Sequence, residues 1–168
     1  MEIPGIGALS FDPDDEWYVS DPVPVPVLGR RCRFVLQDGE GYTEDPEPFN
    51  QATAAFLALD DSVLAAAAPA VHEYYLDIAA AFDREGWDHT RVAGPDDVWN
   101  HVTFGSEVTI EREGSVYLSV ECECSWEVEH GLQLVFREGR AISRVGPYDG
   151  ELVNDPDVVY PSDRMRPE

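Results

Sequence analysis

Lysine is absent from this chain of 168 residues, and all 11 of its basic residues are arginine. Against them stand 34 aspartates and glutamates, a formal net charge of −23. So one-signed a balance argues against a nucleic-acid-binding surface, because gripping a phosphate backbone takes cations. Arginine without lysine fits a GC-rich genome or a salt-adapted cytoplasm, and the acidity equally suits the steering of a basic protein partner. Cysteine is scarce too: Cys32, Cys122 and Cys124 are too few and too oddly spaced for a disulfide framework. Two residues apart on a strand, Cys122 and Cys124 would have Cα atoms roughly 6.5–7 Å apart, at the edge of disulfide geometry. No window approaches 18 apolar residues, and no basic stretch leads into an apolar run, so neither a membrane span nor a leader is expected. The expectation is a cytoplasmic protein with no membrane partner.

What the chain does have suits a globular core. Apolar residues make up 43%, and seven Phe, seven Tyr and four Trp can fill an interior without staples. At this length one domain, 1–168, is expected. Residues 1–22, rich in Gly, Pro and Asp, suggest an irregular arm pinned by Phe11, Trp17 and Tyr18. Val23 to Leu28 carries two prolines and suits an edge or lead-in, Cys32 to Leu36 a strand, and 37–45 an acidic loop. Asp45-Pro46-Glu47 opens a helix with Asp as cap. Asp60-Asp61-Ser62 opens a longer one, whose Leu64, Ala67, Val71, Tyr74, Tyr75, Ile78 and Phe82 mark a buried stripe. Pro69 inside it predicts a kink or split near residue 65, and Gly86 an end. A short helix follows Gly94-Pro95, and the rest is β until a loop-rich tail, 146–168. Helices first and then a meander of strands reads as α+β, an antiparallel sheet with two main helices packed on one face.

The densest information lies between Val116 and Phe136. Val116, Leu118, Val120, Cys122, Cys124, Trp126 and Val128 alternate with Tyr117, Ser119, Glu121, Glu123, Ser125, Glu127 and Glu129. A period of two predicts one apolar face and one face bearing a row of carboxylates. Glu121 and Glu123 would stand about 7 Å apart and repel by roughly 0.6 kcal/mol in water. His130-Gly131 then predicts a positive-φ turn that aims Glu127, Glu129 and His130 outward together.

Cys122, Cys124 and His130 are zinc-ligand types, but no second ligand pair accompanies them, and the alternation sends both thiols inward as small hydrophobes. No metal or other cofactor is therefore expected. The run Asp12, Asp14, Asp15, Glu16 lacks the spacing of a calcium loop. Asp149, Asp155 and Asp157 do no better, and His72, His89 and His101 lack ligand neighbours. Glu127, Glu129 and His130 could serve acid–base chemistry, yet no nucleophile elbow, phosphate loop or dinucleotide fingerprint supports a reaction. The simpler account is a solvated strand face balanced by Arg112, Arg137, Arg140 and Arg144.

One resemblance rests on longer strings. These are Val98-Trp99-x-His101-Val102-x-Phe104-Gly105, Val116-Tyr117-x-Ser119-x-Glu121-Cys122-x-Cys124, Trp126-Glu127-x-Glu129-His130-Gly131-Leu132-Gln133-Leu134-Val135-Phe136 and Val145-Gly146-Pro147-Tyr148-Asp149-Gly150. The chain resembles a family of bacterial proteins of unknown function, common in GC-rich actinobacteria. Where that pattern often carries His after the last glycine, this chain has Glu151, a departure that weakens any metal site the resemblance would imply. It implies membership, not mechanism.

The leading expectation is a small acidic binding protein that neutralises or escorts a basic partner, as immunity proteins of bacterial toxin systems do. Its binding residues would be Glu121, Glu123, Trp126, Glu127, Glu129 and His130, with no catalytic residue. The alternative is a hydrolase or metal-dependent enzyme using Glu127, Glu129 and His130 near Cys122 and Cys124. Whatever the task, self-repulsion at −23 strains the folded state. The melting temperature should therefore rise with NaCl until screening saturates at a Debye length of about 8 Å. A melt that stays put from low to moderate salt would mean the charges are already paired internally.

Overall fold

A computed structural model describes residues 1–162 of the chain; 163–168, the end of the expected tail, lie outside the described residues. The sheet is built on five strands: β5 (Arg30–Leu36), β6 (Val102–Glu113), β7 (Ser115–Cys124), β8 (Glu127–Arg137) and β9 (Ala141–Gly146). β6 to β9 pair in sequence and antiparallel, while β5 joins β6 in parallel. Register lines up two apolar rows across all five. Phe34, Val108, Val120, Leu134 and Val145 form one, and Leu36, Ile110, Leu118, Phe136 and Ile142 the other. All ten are buried. The period-two pattern places them on a common face, since a one-residue slip would turn each to the other side.

The N-terminal arm is not irregular. β1 (Glu2–Ile3), β2 (Gly7–Asp12) and β3 (Trp17–Ser20) extend the sheet from β5, giving the order β1-β2-β3-β5-β6-β7-β8-β9. Its buried anchors are Ile3, Ile6 and Leu9, whereas Phe11 is exposed and only rests against Tyr18, ring centroids 5.2 Å apart. The glycines serve tight turns here, as at Gly5 and Gly7, and Glu16 likewise takes a positive φ in the turn before β3. The short β4 (Val23–Val25) pairs with the first half of β5, and the chain then turns at Gly29.

The helices depart from expectation at their starts. The acidic stretch after Gln37 holds α1 (Gly39–Glu44), capped by Asp38, whose side chain accepts the Gly41 N–H at 2.8 Å. Asp45 therefore ends α1 instead of capping α2 (Glu47–Leu57), whose cap position is Pro46. α3 (Ser62–Glu85) runs unbroken through Pro69. Pro69 and Ala65, the residue whose carbonyl loses its donor, both face solvent, and Trp99 Nε1–H donates to the neighbouring Leu64 carbonyl at 3.0 Å. The buried stripe of α3 includes Val71, Tyr74 and Tyr75, and Phe56 of α2 packs edge-on against Phe34 and Phe136. The architecture is α+β, a mostly antiparallel nine-stranded sheet with helices.

The opposite sheet face is covered in part by the segment after β9. Leu152 closes a small apolar cluster over Tyr117 and Val135. Beside it the buried Arg144 guanidinium donates to Gln133 Oε1 (2.6 Å), Asn154 Oδ1 (2.8 Å) and both Asp149 oxygens (2.9 Å). Gln133 donates in turn to Ser119 Oγ at 2.9 Å and to the Glu151 carbonyl at 3.1 Å. Buried polar groups are tolerated there because each has partners. This loop is thus clipped down, although it carries no regular element.

Trp126 is among the largest fully buried side chains, edge-on to Tyr74 and Tyr75 with centroids 5.9 and 6.0 Å away. Trp126→Ala should cost about 3–5 kcal/mol by leaving a cavity. Urea denaturation checks it, and a loss below 1 kcal/mol would show that the ring is not a packing anchor.

Candidate acidic cleft

The alternation that predicts a strand to residue 128 breaks at Cys124. β7 ends there, Ser125 and Trp126 make a two-residue turn, and Glu127 pairs back with Cys124. Val128 is consequently 87% exposed, not inward. The next register point is Cys122 with Leu132, so Val128 to Gly131 stand opposite the single residue Glu123, three more than the ladder needs, and bulge out of β8. A second irregularity, between Phe104 and Val108 of β6, flanks β7 on its other edge. Two glycines permit this close approach: a Cβ on Gly105 would lie 2.2 Å from the Glu121 carbonyl oxygen, and one on Gly131 2.3 Å from that of Cys122.

Between the bulges lies an open cleft of about 660 Å³. Glu121, Glu123, Glu127, Glu129 and His130 line it together with His101, Thr103 and Ser125, and no arginine is among its lining residues. Five of the six expected binding residues are therefore brought to one place. Trp126 is not on the surface; it lies in the core beside them. The arginines expected opposite the glutamates go elsewhere: Arg112 faces Asp45, Arg137 Asp157, and Arg144 Asp149. The same pairing accounts for Asp149 and Asp157, while Asp12 accepts the Asp14 N–H in a turn. The surrounding carboxylates reach Tyr148, whose hydroxyl is pushed up by burial and then by Glu121, Glu111, Asp149 and Glu107.

The bulge is braced. Glu127 Oε1 accepts the backbone N–H groups of Glu129 (3.0 Å) and His130 (3.3 Å), and its Oε2 lies 3.5 Å from His130 Nδ1. Tyr74 donates its hydroxyl to the Gly131 carbonyl at 2.8 Å, and Tyr148 N–H reaches the His130 carbonyl at 3.2 Å. Burial drives the Tyr74 pKa far up, which keeps that donor protonated. Gly131 has φ +65°, the positive value expected, though within a bulge and not at the strand's end. Glu129 and His130 face solvent, whereas Glu127 turns back to cap the loop. One ligand atom from each of Glu127, Glu129 and His130 falls within 4.8 Å of the others, a spacing compatible with a divalent ion.

Cys122 and Cys124 stay apart from His130's donor set. Both thiols point into the core, where burial pushes Cys122 up to about 12 and Cys124 up to about 11. His89 is likewise structural, held by the Thr90 carbonyl at 2.8 Å and Asp83 at 3.1 Å.

A hydrogen-bonded chain in the cleft wall was not anticipated from sequence. His101 Nε2 lies 3.0 Å from Asp97 Oδ2, and its Nδ1 lies 3.2 Å from Ser125 Oγ. The Asp97-x-x-x-His101 spacing, one helical turn, was the available signal for the first link. Ser125 sits 24 residues on, and only the β6–β7 pairing brings it across.

The thiol environment has a pH consequence. Because folding raises both pKa values above the ordinary 9.0, the unfolded chain ionises first. Stability contributed by the protonated thiols is full below pH 9 and drains away as pH rises toward 11–12. Native protein at pH 8 should leave Cys122 and Cys124 unmodified by a maleimide over hours, with both labelled on denaturation. Rapid native labelling of either would place that thiol at the surface.

A family model described as a domain of unknown function (DUF6985) matches residues 5–152, and the chain belongs to that family. No curated protein and no solved structure matches it.

Proposed function

We propose that the protein is a small acidic binding protein whose cleft receives a cationic segment of a basic partner protein. The observation that supports this is a concavity lined by four glutamates and no arginine, while Arg137 and Arg144 are engaged by Asp157 and Asp149 of the C-terminal segment. Glu121 and Glu123 lie on the continuous strand β7 and Glu127 is clamped by two backbone donors, so the negative charge is held in place before a partner arrives. Such an arrangement favours fast, salt-sensitive association. Neutralising a basic partner, as an immunity protein does, is the role this would serve.

A metal-dependent hydrolase is the second reading, and the 4.8 Å grouping of Glu127, Glu129 and His130 favours it. One calorimetric series separates the two. An octa-arginine peptide should bind the wild-type protein and lose affinity with salt. Glu121→Gln with Glu123→Gln should weaken it about 5- to 10-fold without lowering the melting temperature, because exposed carboxylates contribute little to stability and their loss relieves self-repulsion. Equal binding by that double variant would remove the cleft as the docking site. A stoichiometric Mn²⁺ or Zn²⁺ site, abolished by Glu129→Gln and by His130→Gln, would move the assignment to the second reading.

A further inference from the structure

The cleft carries a second set of groups whose chemistry differs from charge attraction. Asp97 closes the turn that follows Gly94: its Oδ2 accepts the Ala93 N–H at 3.0 Å and its Oδ1 accepts the Asn100 amide at 3.0 Å. With the His101 contact at 3.0 Å the carboxylate is held by three donors, which together lower its pKa to about 2. It is therefore an anion at any ordinary pH, and on the neutral imidazole it keeps the proton on Nε2. Nδ1 is left as the unprotonated nitrogen, and that nitrogen faces Ser125 Oγ at 3.2 Å. The ring is fixed from one side by Asp97 and is only partly exposed, while Ser125 stands exposed on the tight turn between β7 and β8.

The position of Ser125 is equally constrained. Its N–H donates to the His101 carbonyl at 3.0 Å, and its own carbonyl accepts the Thr90 hydroxyl at 3.0 Å. Backbone bonds thus tie the serine to the residue that carries the base, so the side-chain contact does not depend on a mobile loop. A nucleophile, a base within reach of it, and a third group orienting that base are the arrangement that activates a hydroxyl for covalent catalysis. In a purely structural cluster the serine would have no need to open onto a cleft of about 660 Å³, yet Ser125 and His101 both line it.

We infer that Ser125, His101 and Asp97 form an acyl-transfer site on the wall of the acidic cleft, acting on an ester or amide next to a cationic group. Ser125 Oγ attacks the acyl carbon while its proton passes to His101 Nδ1. The bond to the leaving group then breaks, and that group departs with the proton from Nδ1. Water, deprotonated by the same nitrogen, cleaves the resulting ester and releases the acid, which restores Ser125–OH. Ser125 and His101 are the catalytic residues; Asp97 is a positioning residue. Only the preference for a cationic substrate rests on the binding role proposed for the cleft.

The test uses the full chain and two kinds of probe. A fluorophosphonate should add to Ser125 with loss of fluoride, seen as one adduct by intact mass and located by peptide mapping. Ser125→Ala should abolish the adduct, and His101→Gln should slow it about 10²-fold or more. Both variants must keep the wild-type circular dichroism and melting temperature. With p-nitrophenyl esters of acetate and of Nα-acetyl-arginine, Asp97→Asn should lower kcat with KM unchanged, a split that loss of packing alone would not give. No adduct at Ser125, or equal ester turnover by wild type and Ser125→Ala, overturns the site. Turnover that depends on Ser125 but treats both esters alike upholds the site and overturns the cationic reading of the cleft.

Discussion

Burial of Trp126 is the constraint on which the rest of the site depends. An indole removes some 150–250 Å² of surface from water, worth roughly 4–6 kcal/mol at 25 cal/mol per Å². Its Nε1 has no hydrogen-bond partner among the described residues, a cost of about 1–3 kcal/mol, so packing wins. To put the ring against Tyr74 and Tyr75 of α3 the chain must turn at Ser125–Trp126, which ends β7 at Cys124. β8 then begins at Glu127 but does not regain register until Leu132. The intervening residues have no strand to pair with and are extruded. Glu129 and His130 reach solvent for that reason, and Ser125 reaches the His101 ring because it occupies the outer corner of the same turn.

A second constraint is the shortage of cations. With 11 arginines for 34 carboxylates, the placement of each arginine decides which acidic groups are balanced. The structure places Arg144 and Arg137 under and beside the C-terminal segment, where Asp149 and Asp157 pin that segment to the sheet. Arg33 goes to Glu107 on the neighbouring strand. Arg30 reaches the Phe104 carbonyl and stabilises the β6 irregularity at the cleft's far end. No arginine is left over among the cleft's lining residues for Glu121, Glu123 and Glu129, although Arg30 lines the adjoining hollow with Glu121 and Glu123. The local excess of negative charge is thus a consequence of how the tail and the sheet edges are fastened.

Much of this architecture is legible from local pattern. The inward row of β7 is read correctly up to Cys124, but only Glu121 and Glu123 of the other row reach solvent, because the segment after β9 covers Tyr117 and Ser119. Between β8 and β9 the three-residue turn Glu138-Gly139-Arg140 has its first two residues at the positive φ that a tight turn demands. The N-terminal strands are not legible: they are short, their buried residues are Ile3, Ile6 and Leu9 at no regular spacing, and their turns mimic disorder in composition. Nor is the uninterrupted α3, since tolerance of Pro69 depends on which side of the helix meets solvent.

By itself, then, the sequence determines the composition of the site: a row of carboxylates opposite a row of apolar residues, with a glycine marking the left-handed backbone after His130. Periodicity encodes facing, and facing is local. Which carboxylates remain uncompensated, that Glu127 folds back as a clamp, and that Asp97, His101 and Ser125 meet are decided only in three dimensions. Those outcomes depend on strand register and on the docking of Trp126 against a helix some fifty residues earlier in the chain. Contacts at that separation are set by the packing of the whole core, and no short window of sequence records them.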